Sequence, residues 1–346
     1  MPIDGFFGSP IQVQVPFLEL SGNLKVKFAR NPKSVRAKLN AYTKQQAVSS
    51  VRGNYLYFDP KYLGRVTRDS RWPYNSDRPG GQDEGQTFEV RDFFCERHSY
   101  KDSLDLTVEK LASFDVQKVV TESLALKAMV RRTYLTNALI NTTSEYPAAH
   151  VVTATTAGGG YLHTGTTANP VILKTCNYAR NLIQLATASA FEGGEFGMLM
   201  NPNTARKLME TRELREYLMQ QVGSIGNITG KDETYWAGEG LPAYLYNTKV
   251  IVENTTVNTG NPSATETGQA YIFPDNRIIF FLREGDLDAG EGTATFSTWT
   301  QFVYEDMAVE AFTDQSNRRL WFTVTDHFAV ETPSPLSAVV VTNCFS

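Results

Sequence analysis

The feature that most constrains this chain is a run of helical periodicity from Ser113 to Asn141. Its apolar side chains recur at steps of three and four residues, which places the following on one face: Val116, Val120, Leu124, the stem of Lys127, Val130 and Tyr134. Ser113 is placed to cap this helix, and Pro147 follows its end. At ~1.5 Å per residue the helix would run roughly 40 Å, the width of a small domain. We therefore expect it to brace an extended structure.

The composition is that of a globular protein with enough apolar material for one large or two medium cores, since 41% of the 346 residues are hydrophobic and 20% are charged. No window approaches eighteen consecutive apolar residues, and the first residues lack a signal-peptide pattern. We expect a soluble, unprocessed product made in the cytosol, with no membrane partner. Three scattered cysteines, Cys95, Cys176 and Cys344, predict reduced, buried thiols.

A cationic segment stands near the start of the chain, because no acidic residue occurs between Glu19 and Asp59. Its basic residues include Lys25, Lys27, Arg30, Lys33, Arg36, Lys38 and Lys44. They form either a solvated face or a contact surface for an acidic partner or a nucleic acid backbone. Prolines and glycines favour an extended arm over residues 1–30, and a short amphipathic helix is expected from Pro32 to about Ser49.

Residues 54–92 have the pattern of a long two-stranded projection. Short strand-like runs at Tyr55–Phe58 and Thr87–Phe93 flank a middle rich in glycine, proline and charge. The side chains expected to be exposed along it are Arg68, Asp69, Arg71, Trp72, Asp77, Arg78, Asp83 and Glu84. An isolated hairpin is marginal in water, so this one should find a partner surface on a neighbouring chain.

The middle of the chain, about residues 166–290, alternates helices and strands and is expected to form a self-contained α/β unit. Helices are predicted from Pro170 to Ala190 and from Asn203 to Gln221, with a buried strand at Phe196–Met200 between them. Glycine-rich Gly223–Gly240 reads as a surface loop. The glycines at 158–160 are not a phosphate loop, because no Gly-Lys-Ser/Thr follows.

The tail returns to strands, at Thr293–Phe312 and Leu320–Val330. A change of phase in the first strand predicts a bulge near Glu305 and Asp306. These strands need a helix to cover them, and the long helix is the available one. The chain should therefore leave its first unit at residue 165 and return to it near residue 290.

No pattern of catalytic, cofactor-binding or metal-ligating residues is found. The histidines, His98, His150, His163 and His327, have no paired ligand spacing. Carboxylate pairs such as Glu305 with Asp306 are commoner in turns and bulges than in acid–base sites. Tryptophans near loops, Trp72, Trp236 and Trp299, suit either a ligand platform or an interface, and we favour the interface.

The order of parts, together with several local phrases, resembles one family. The phrases are Tyr55-Leu56-Tyr57-Phe58-Asp59 with Arg78-Pro79-Gly80-Gly81, Cys95-Glu96-Arg97-His98-Ser99-Tyr100, and Met200-Asn201-Pro202-Asn203-Thr204 with Leu208. In this order and spacing they are similar to the tailed-bacteriophage major capsid proteins of the HK97-like fold, over nearly the whole chain.

The resemblance implies an α+β, HK97-like capsid fold with five parts. Residues 1–53 would be an N-terminal arm with a short amphipathic helix, and residues 54–93 the hairpin called the E-loop. Residues 94–165 would begin the peripheral domain, with a spine helix at 113–141. An inserted α/β axial domain would occupy 166–290, and return strands of the peripheral domain 291–346.

The implied function is structural rather than enzymatic: hexamers and pentamers tiling an icosahedral shell around double-stranded DNA in the virion, assembled in the host cytoplasm. The E-loop would lie over the adjacent subunit, and the capsomer axis would be lined by Lys231, Asp232, Glu233, Tyr235 and Trp236. The basic arm would face scaffold, DNA or neighbours. The implied partners are further copies of this chain, a separate scaffolding protein, a portal, a decoration protein, and packaged DNA contacted without sequence preference.

Some members of the family join a hairpin lysine to a neighbour's asparagine. Lys61 with Asn317 or Asn343 would be the corresponding residues, although a solvated lysine is the commoner outcome. The sequence alone is also compatible with two other classes of protein. One is an encapsulin-type nanocompartment shell protein, which shares the fold, and the other is a cytosolic α/β enzyme.

Overall fold

Two sheets and one long helix organise the protein. The computed structural model describes residues 32–58, 88–105, 116–189, 194–222, 236–258, 268–283, 297–314 and 318–346. The first sheet has four strands in the order β1-β14-β15-β4. These strands are β1 (Lys44–Ala47), β4 (Glu96–Asp105), β14 (Thr300–Asp314) and β15 (Arg319–Glu331). Only the β1–β14 pair is parallel. The predicted return strands are thus confirmed and joined by β4.

The second sheet has six strands in the order β5-β16-β13-β6-β10-β9. They are β5 (Val151–Thr153), β6 (Glu195–Met200), β9 (Tyr244–Leu245), β10 (Thr248–Val252), β13 (Arg277–Arg283) and β16 (Ala338–Thr342). Residues 151–153 and 338–342 therefore pair within the sheet of the middle unit. The expected boundaries at residues 165 and 291 do not separate the two sheets, because non-local pairing adds a strand from each side.

Three further strand pairs are local. The predicted hairpin strands are confirmed as β2 (Arg52–Phe58) and β3 (Phe88–Phe94), which pair antiparallel from Arg52 opposite Phe94 to Phe58 opposite Phe88. The other pairs join β7 (Trp236–Gly238) to β8 (Leu241–Pro242) and β11 (Thr256–Asn258) to β12 (Gln269–Tyr271). The hairpin tip lies outside the described residues.

The helices are α1 (Pro32–Tyr42), α2 (Val116–Asn141), α3 (Ala154–Gly158), α4 (Val171–Ala186), α5 (Pro202–Met209) and α6 (Arg212–Val222). Short 3-10 turns occur at Thr143–Glu145, Ala148–His150, Leu162–Thr164 and Pro335–Ser337. Helix α2 confirms the predicted long helix, and residues 113–115 lie outside the description. It covers β15, as expected, and also β4, with Leu124 and Ala128 packed against Phe322 and Val324 of β15 and Leu104 of β4.

The buried face of α2 differs from the predicted one. Val116, Val120, Val130 and Tyr134 are only partly buried, and Lys127 is exposed. The buried side chains are Leu124, Ala128, Met129, Arg132, Thr133, Thr136, Asn137 and Ile140. Polar residues can occupy this face because their hydrogen bonds are made locally: the Thr133 hydroxyl, for example, donates to the Met129 carbonyl at 2.8 Å.

Two predicted helices differ from expectation, one in length and one in continuity. Helix α1 stops at Tyr42 rather than Ser49, because the residues after it pair with the edge of β14 as strand β1. The helix expected to run through to Gln221 is split in two. The Thr211 hydroxyl accepts from the Leu214 amide at 3.4 Å and donates to the Leu208 carbonyl, which ends α5 and starts α6.

Trp299 belongs to the core rather than to an interface or ligand platform. Its side chain is fully buried, its ring lies 4.9 Å from that of Phe281, and its indole Nε1 donates to the Tyr146 hydroxyl at 3.1 Å. Cys95, Cys176 and Cys344 are free and buried, as predicted. Burial raises the pKa of the Cys176 and Cys344 thiols to about 12. No helix within the described ranges is long and apolar enough to cross a membrane.

Candidate functional site

A buried arginine on the long helix forms the centre of a charged junction. Arg132 is about 1% exposed, and its guanidinium contacts both carboxylate oxygens of Asp326 on β15, with Nε donating to Oδ2 at 2.9 Å. Its Nη2 also donates to Asp306 Oδ1 at 3.1 Å. The ring of Phe328 lies 5.1 Å from the guanidinium carbon. Both charges of this pair are buried, so removing either one would leave the other without a partner to offset its desolvation.

The junction extends to the arm helix through Asp306. Arg36 of α1 donates from Nη2 to Asp306 Oδ1 at 2.7 Å, so one carboxylate serves two guanidiniums. Asp306 stands in a bulge of β14, where the register with β15 shifts between Val303 and Ala308. Met307 has a φ of 49° and packs against two hydrophobic clusters, one that contains Trp299 and one that contains Phe322. The predicted bulge is confirmed, and it aims Asp306 at the two arginines.

A second buried network joins α1 and α2 to the six-stranded sheet. Asn137 donates to the Tyr42 hydroxyl at 2.9 Å, and that hydroxyl donates to Glu253 Oε2 at 2.9 Å. The other oxygen of Glu253 accepts from the Thr255 amide at 2.9 Å. Burial, and then the charge of Glu253, raise the pKa of Tyr42 well above its ordinary value. These bonds fix α1 and the long helix against the six-stranded sheet.

The β2–β3 stem is held to the first sheet by its inner face. The ring of Phe93 stacks on that of Phe302 at 4.2 Å, and the Tyr55 hydroxyl donates to Glu331 Oε2 at 3.3 Å. Burial and the neighbouring Glu331 raise the pKa of Tyr55 to about 12. A side chain at Gly53 would meet the Phe93 ring at 2.7 Å, so this close packing requires glycine. The stem therefore has a fixed position on the subunit.

The outer face of the stem exposes three large apolar side chains within the described residues. It carries Leu56, Val90 and Phe94, all exposed, with the Arg52 guanidinium 5.1 Å from the Phe94 ring. Leu56 and Val90 lie directly opposite each other in the hairpin register. The alternation that predicted these strands also places the three side chains on one face. Asn54 and Asp92, also opposite each other, separate Phe94 from Leu56 and Val90 on this face, so exposed apolar and polar side chains alternate along it. Large exposed apolar side chains bordered by polar ones are typical of an interaction surface.

Many of the predicted site residues lie outside the described part of the chain. These are Arg68, Asp69, Arg71, Trp72, Asp77, Arg78, Asp83 and Glu84 of the hairpin, Lys231, Asp232, Glu233 and Tyr235 of the axis loop, and Lys25, Lys27 and Arg30 of the arm. Lys61 and Asn317 also lie outside it, whereas Asn343 is exposed after β16. The backbone of Trp236 is in β7.

The four described residues of the basic arm have different surroundings. Lys33 is exposed on α1, whereas Arg36 binds Asp306 as described above. Lys38 donates to Asn254 Oδ1 at 2.6 Å, and Lys44 pairs in β1 opposite Thr300. Part of the cationic segment thus serves contacts within the subunit.

Sequence reasoning missed the central residue of the junction. Arg132 was not among the predicted site residues, yet it stands four residues from Ala128 and eight from Leu124, on the buried stripe. That step of four was the available signal. On β15, Asp326 likewise continues the inward alternation of Phe322 and Val324. A charge at an inward position of two facing elements predicts a buried pair.

No family model matches the sequence, and no curated protein matches it. Solved structures do. A phage-related protein from Bordetella bronchiseptica RB50 aligns with a TM-score of 0.59 at 12% identity, covering 90% of this chain and 96% of that one. The capsid structure of the cyanophage P-SCSP1u aligns at 0.53 and 11% identity, covering 87% and 86%.

The capsid of Ralstonia phage GP4 aligns with a TM-score of 0.51 at 12% identity, covering 86% of each chain. At these identities the likeness concerns the fold. The chain has the HK97-like fold of phage capsid proteins, which confirms the fold class predicted from its sequence.

Proposed function

We propose that this chain is the structural capsid subunit of a tailed double-stranded-DNA phage and assembles into the hexamers and pentamers of an icosahedral shell. The observation that carries the proposal is the set of large apolar side chains that the outer face of the stem exposes among the described residues, on a subunit with the capsid fold. Leu56, Val90 and Phe94 are 50%, 65% and 52% exposed. Water contacts all three in a lone subunit, and burial against a second copy would remove that contact.

The anchoring of the stem supports the same proposal. Because Phe93 and Tyr55 fix its inner face, the outer face meets a neighbour at a set angle. A head-to-tail contact between this patch and a different surface of the next copy is heterologous, and heterologous contacts that close generate rings. A rigid stem would favour closed rings over open chains of subunits.

The proposed capsid function also gives a role to the remaining parts of the chain. The hairpin tip, Arg68 to Glu84, would set the register on the adjacent subunit through its alternating charges. The loop at Lys231 to Trp236 would line the capsomer axis. The exposed part of the basic arm would contact a scaffolding protein during assembly. Portal and decoration proteins would complete the particle, and contacts with packaged DNA would be salt-sensitive and independent of sequence.

The test is negative-stain microscopy of the expressed chain, with and without a candidate scaffolding protein. Shells of uniform size are expected from the wild type. The double variant Leu56→Ser with Val90→Ser should give subunits with unchanged circular dichroism and no shells. Leu185→Ser, at a side chain 72% exposed outside the stem, is the matched control and should assemble normally. A wild type that stays monomeric in every condition would refute the function, and normal shells from the stem variant would refute the role of the stem.

A further inference from the structure

The two faces of the four-stranded sheet are covered differently. Helix α2 packs on the face that carries Phe322 and Val324. Because side chains alternate along a strand, Trp321 and Thr323 of β15 point to the opposite face. At one end of that opposite face, the stem packs on Phe302. The stem is therefore raised above the sheet, and the rest of this face lies beside it as the floor of a step.

The floor of the step has exposed aromatic and charged side chains. We call it the distal face, and it comprises Glu310 and Phe312 of β14, Trp321 and Thr323 of β15, and Lys101 and Ser103 of β4. Phe312 is 48% exposed, and Lys101 and Glu310 are exposed as well. The Lys101 ammonium lies 4.8 Å from the centre of the Phe312 ring and 4.0 Å from that of Trp321. Among the described residues, no carboxylate forms an ion pair with this ammonium.

The chain that runs from the stem to the distal face has self-complementary charges. Asp92 and Glu96 come first, Arg97 and Lys101 follow, and all four are exposed. The midpoint of this segment lies between Glu96 and Arg97. Asp92 and Lys101 each lie about 15 Å from it, at ~3.3 Å per residue. A second copy turned by 180° about this midpoint would set each acid opposite a base.

We propose that two unassembled subunits form a two-fold dimer about this midpoint, in which the stem of each lies on the distal face of the other. Asp92 would then meet Lys101 of the second copy, and Glu96 would meet its Arg97. Each of these pairs would form twice, because the same surface of both copies takes part. The raised stem of one copy would fill the step of the other.

The apolar side chains match in the same arrangement. Val90 would lie over Ser103 of the second copy, which is next to Trp321 in the sheet register. Strand β2 lies on the same side of β3 as β15 does of β4, because β2 also packs on β14. Leu56, the partner of Val90 in the stem, would therefore lie over Trp321. Large apolar side chains that are exposed in one subunit would be covered in the dimer.

The size of the contact indicates a weak dimer. The stem is seven residues long and two strands wide, so its outer face measures about 23 by 10 Å. Two stems and two distal faces would bury roughly 900 Å² in total, below the ~1,600 Å² of a standard interface. Such a dimer would dissociate readily. It would cover the outer face of the stem before assembly and release it when rings form.

Sedimentation equilibrium of the full chain, below the concentration that gives shells, tests the dimer. The wild type should show a closed monomer–dimer equilibrium with a Kd of roughly 1–100 µM. Lys101→Glu would set a carboxylate beside Asp92 and should raise the Kd at least about tenfold. Asp92→Lys should do the same, by setting two cations together. Mixed in equal amounts, the two variants should form a heterodimer with about the wild-type Kd, because each acid again faces a base.

Lys33→Glu is the control, a charge reversal at an exposed position of α1 that should leave the Kd unchanged. The proposal would be overturned by a wild type that stays monomeric over this range, or by a dimer that Lys101→Glu leaves intact. A mixture that associates no better than its components would also overturn it, as would chains longer than two. The inference does not rest on the proposed function, since the dimer is measured on unassembled subunits.

Discussion

Replacing Arg132 by methionine should be one of the most destabilising single changes in this protein. Methionine matches the length of the arginine stem, so the packing against Phe328 is largely retained. The charge is lost, and with it the contacts to Asp326 and Asp306. Asp326 is about 1% exposed and would be left as an unpaired buried carboxylate. The expected result is a large loss of stability with little change in shape.

The magnitude follows from that burial. Removing one partner of a buried ion pair costs about 3–5 kcal/mol, because the desolvation of the remaining charge is no longer offset. A folded domain is typically stable by about 5–15 kcal/mol, so the loss would be a large part of the total. Changing Asp326 to leucine at the same time removes the stranded charge. The double variant should therefore be more stable than Arg132→Met alone, with a coupling of at least about 2 kcal/mol.

The assay is urea unfolding followed by circular dichroism, at subunit concentrations too low for assembly. Arg212→Ala is the matched control, because Arg212 is 74% exposed in its pair with Glu216 and should change stability by about 0–1 kcal/mol. If Arg132→Met cost no more than this control, or if the two changes were simply additive, the junction would not be a coupled buried pair.

Three further outcomes are expected. Gly158→Ala should destabilise by about 1–3 kcal/mol in thermal melts, since its Cβ would lie 2.7 Å from the Val171 carbonyl, whereas Gly159→Asn, at a φ of 80° in open space, should be nearly neutral. Burial raises the pKa of Tyr146, so its contribution is complete below about pH 10 and is lost above it. Tyr146→Phe should therefore flatten the alkaline fall in unfolding free energy, and an unchanged slope would contradict this. Asn201→Ala removes the cap of α5 and also the amide bonds to the Phe273 carbonyl and Asp275, so it should cost at least about 0.5–2 kcal/mol in chemical denaturation, and serine should restore only the capping part.

Local patterns in the sequence predicted the elements well, because the physics that makes them is local. Alternation identified the two hairpin strands and the return strands, and the change of phase at Glu305 and Asp306 identified the bulge. Helix α1 was predicted too long, because the same residues gain more from pairing with β14 than from another helical turn. Local propensity carries no information about such a partner.

Two strands of the six-stranded sheet were not predicted, for a related reason. Strands β5 and β16 are three and five residues long, and they join the six-stranded sheet from positions on either side of the middle unit. The residues of either segment do not determine which sheet the strand joins. Part of the candidate site could be predicted in the same way, because the strands of the stem and the bulge follow from the alternation of side chains. The pairing of Arg132 with Asp326 could not, because it depends on how the long helix packs against the sheet.

The place of β16 in its sheet has a consequence for how the protein is made. It lies between β5 and β13 and is almost wholly buried, yet the ribosome translates it after every other strand of that sheet. Until then, β5 and β13 have no common neighbour, and the sheet is missing a central strand. Since chains emerge at ~5–20 residues per second, β5 waits roughly 10–40 seconds for its partner. Translation order thus delays completion of this sheet until the segment that contains β16 has been made.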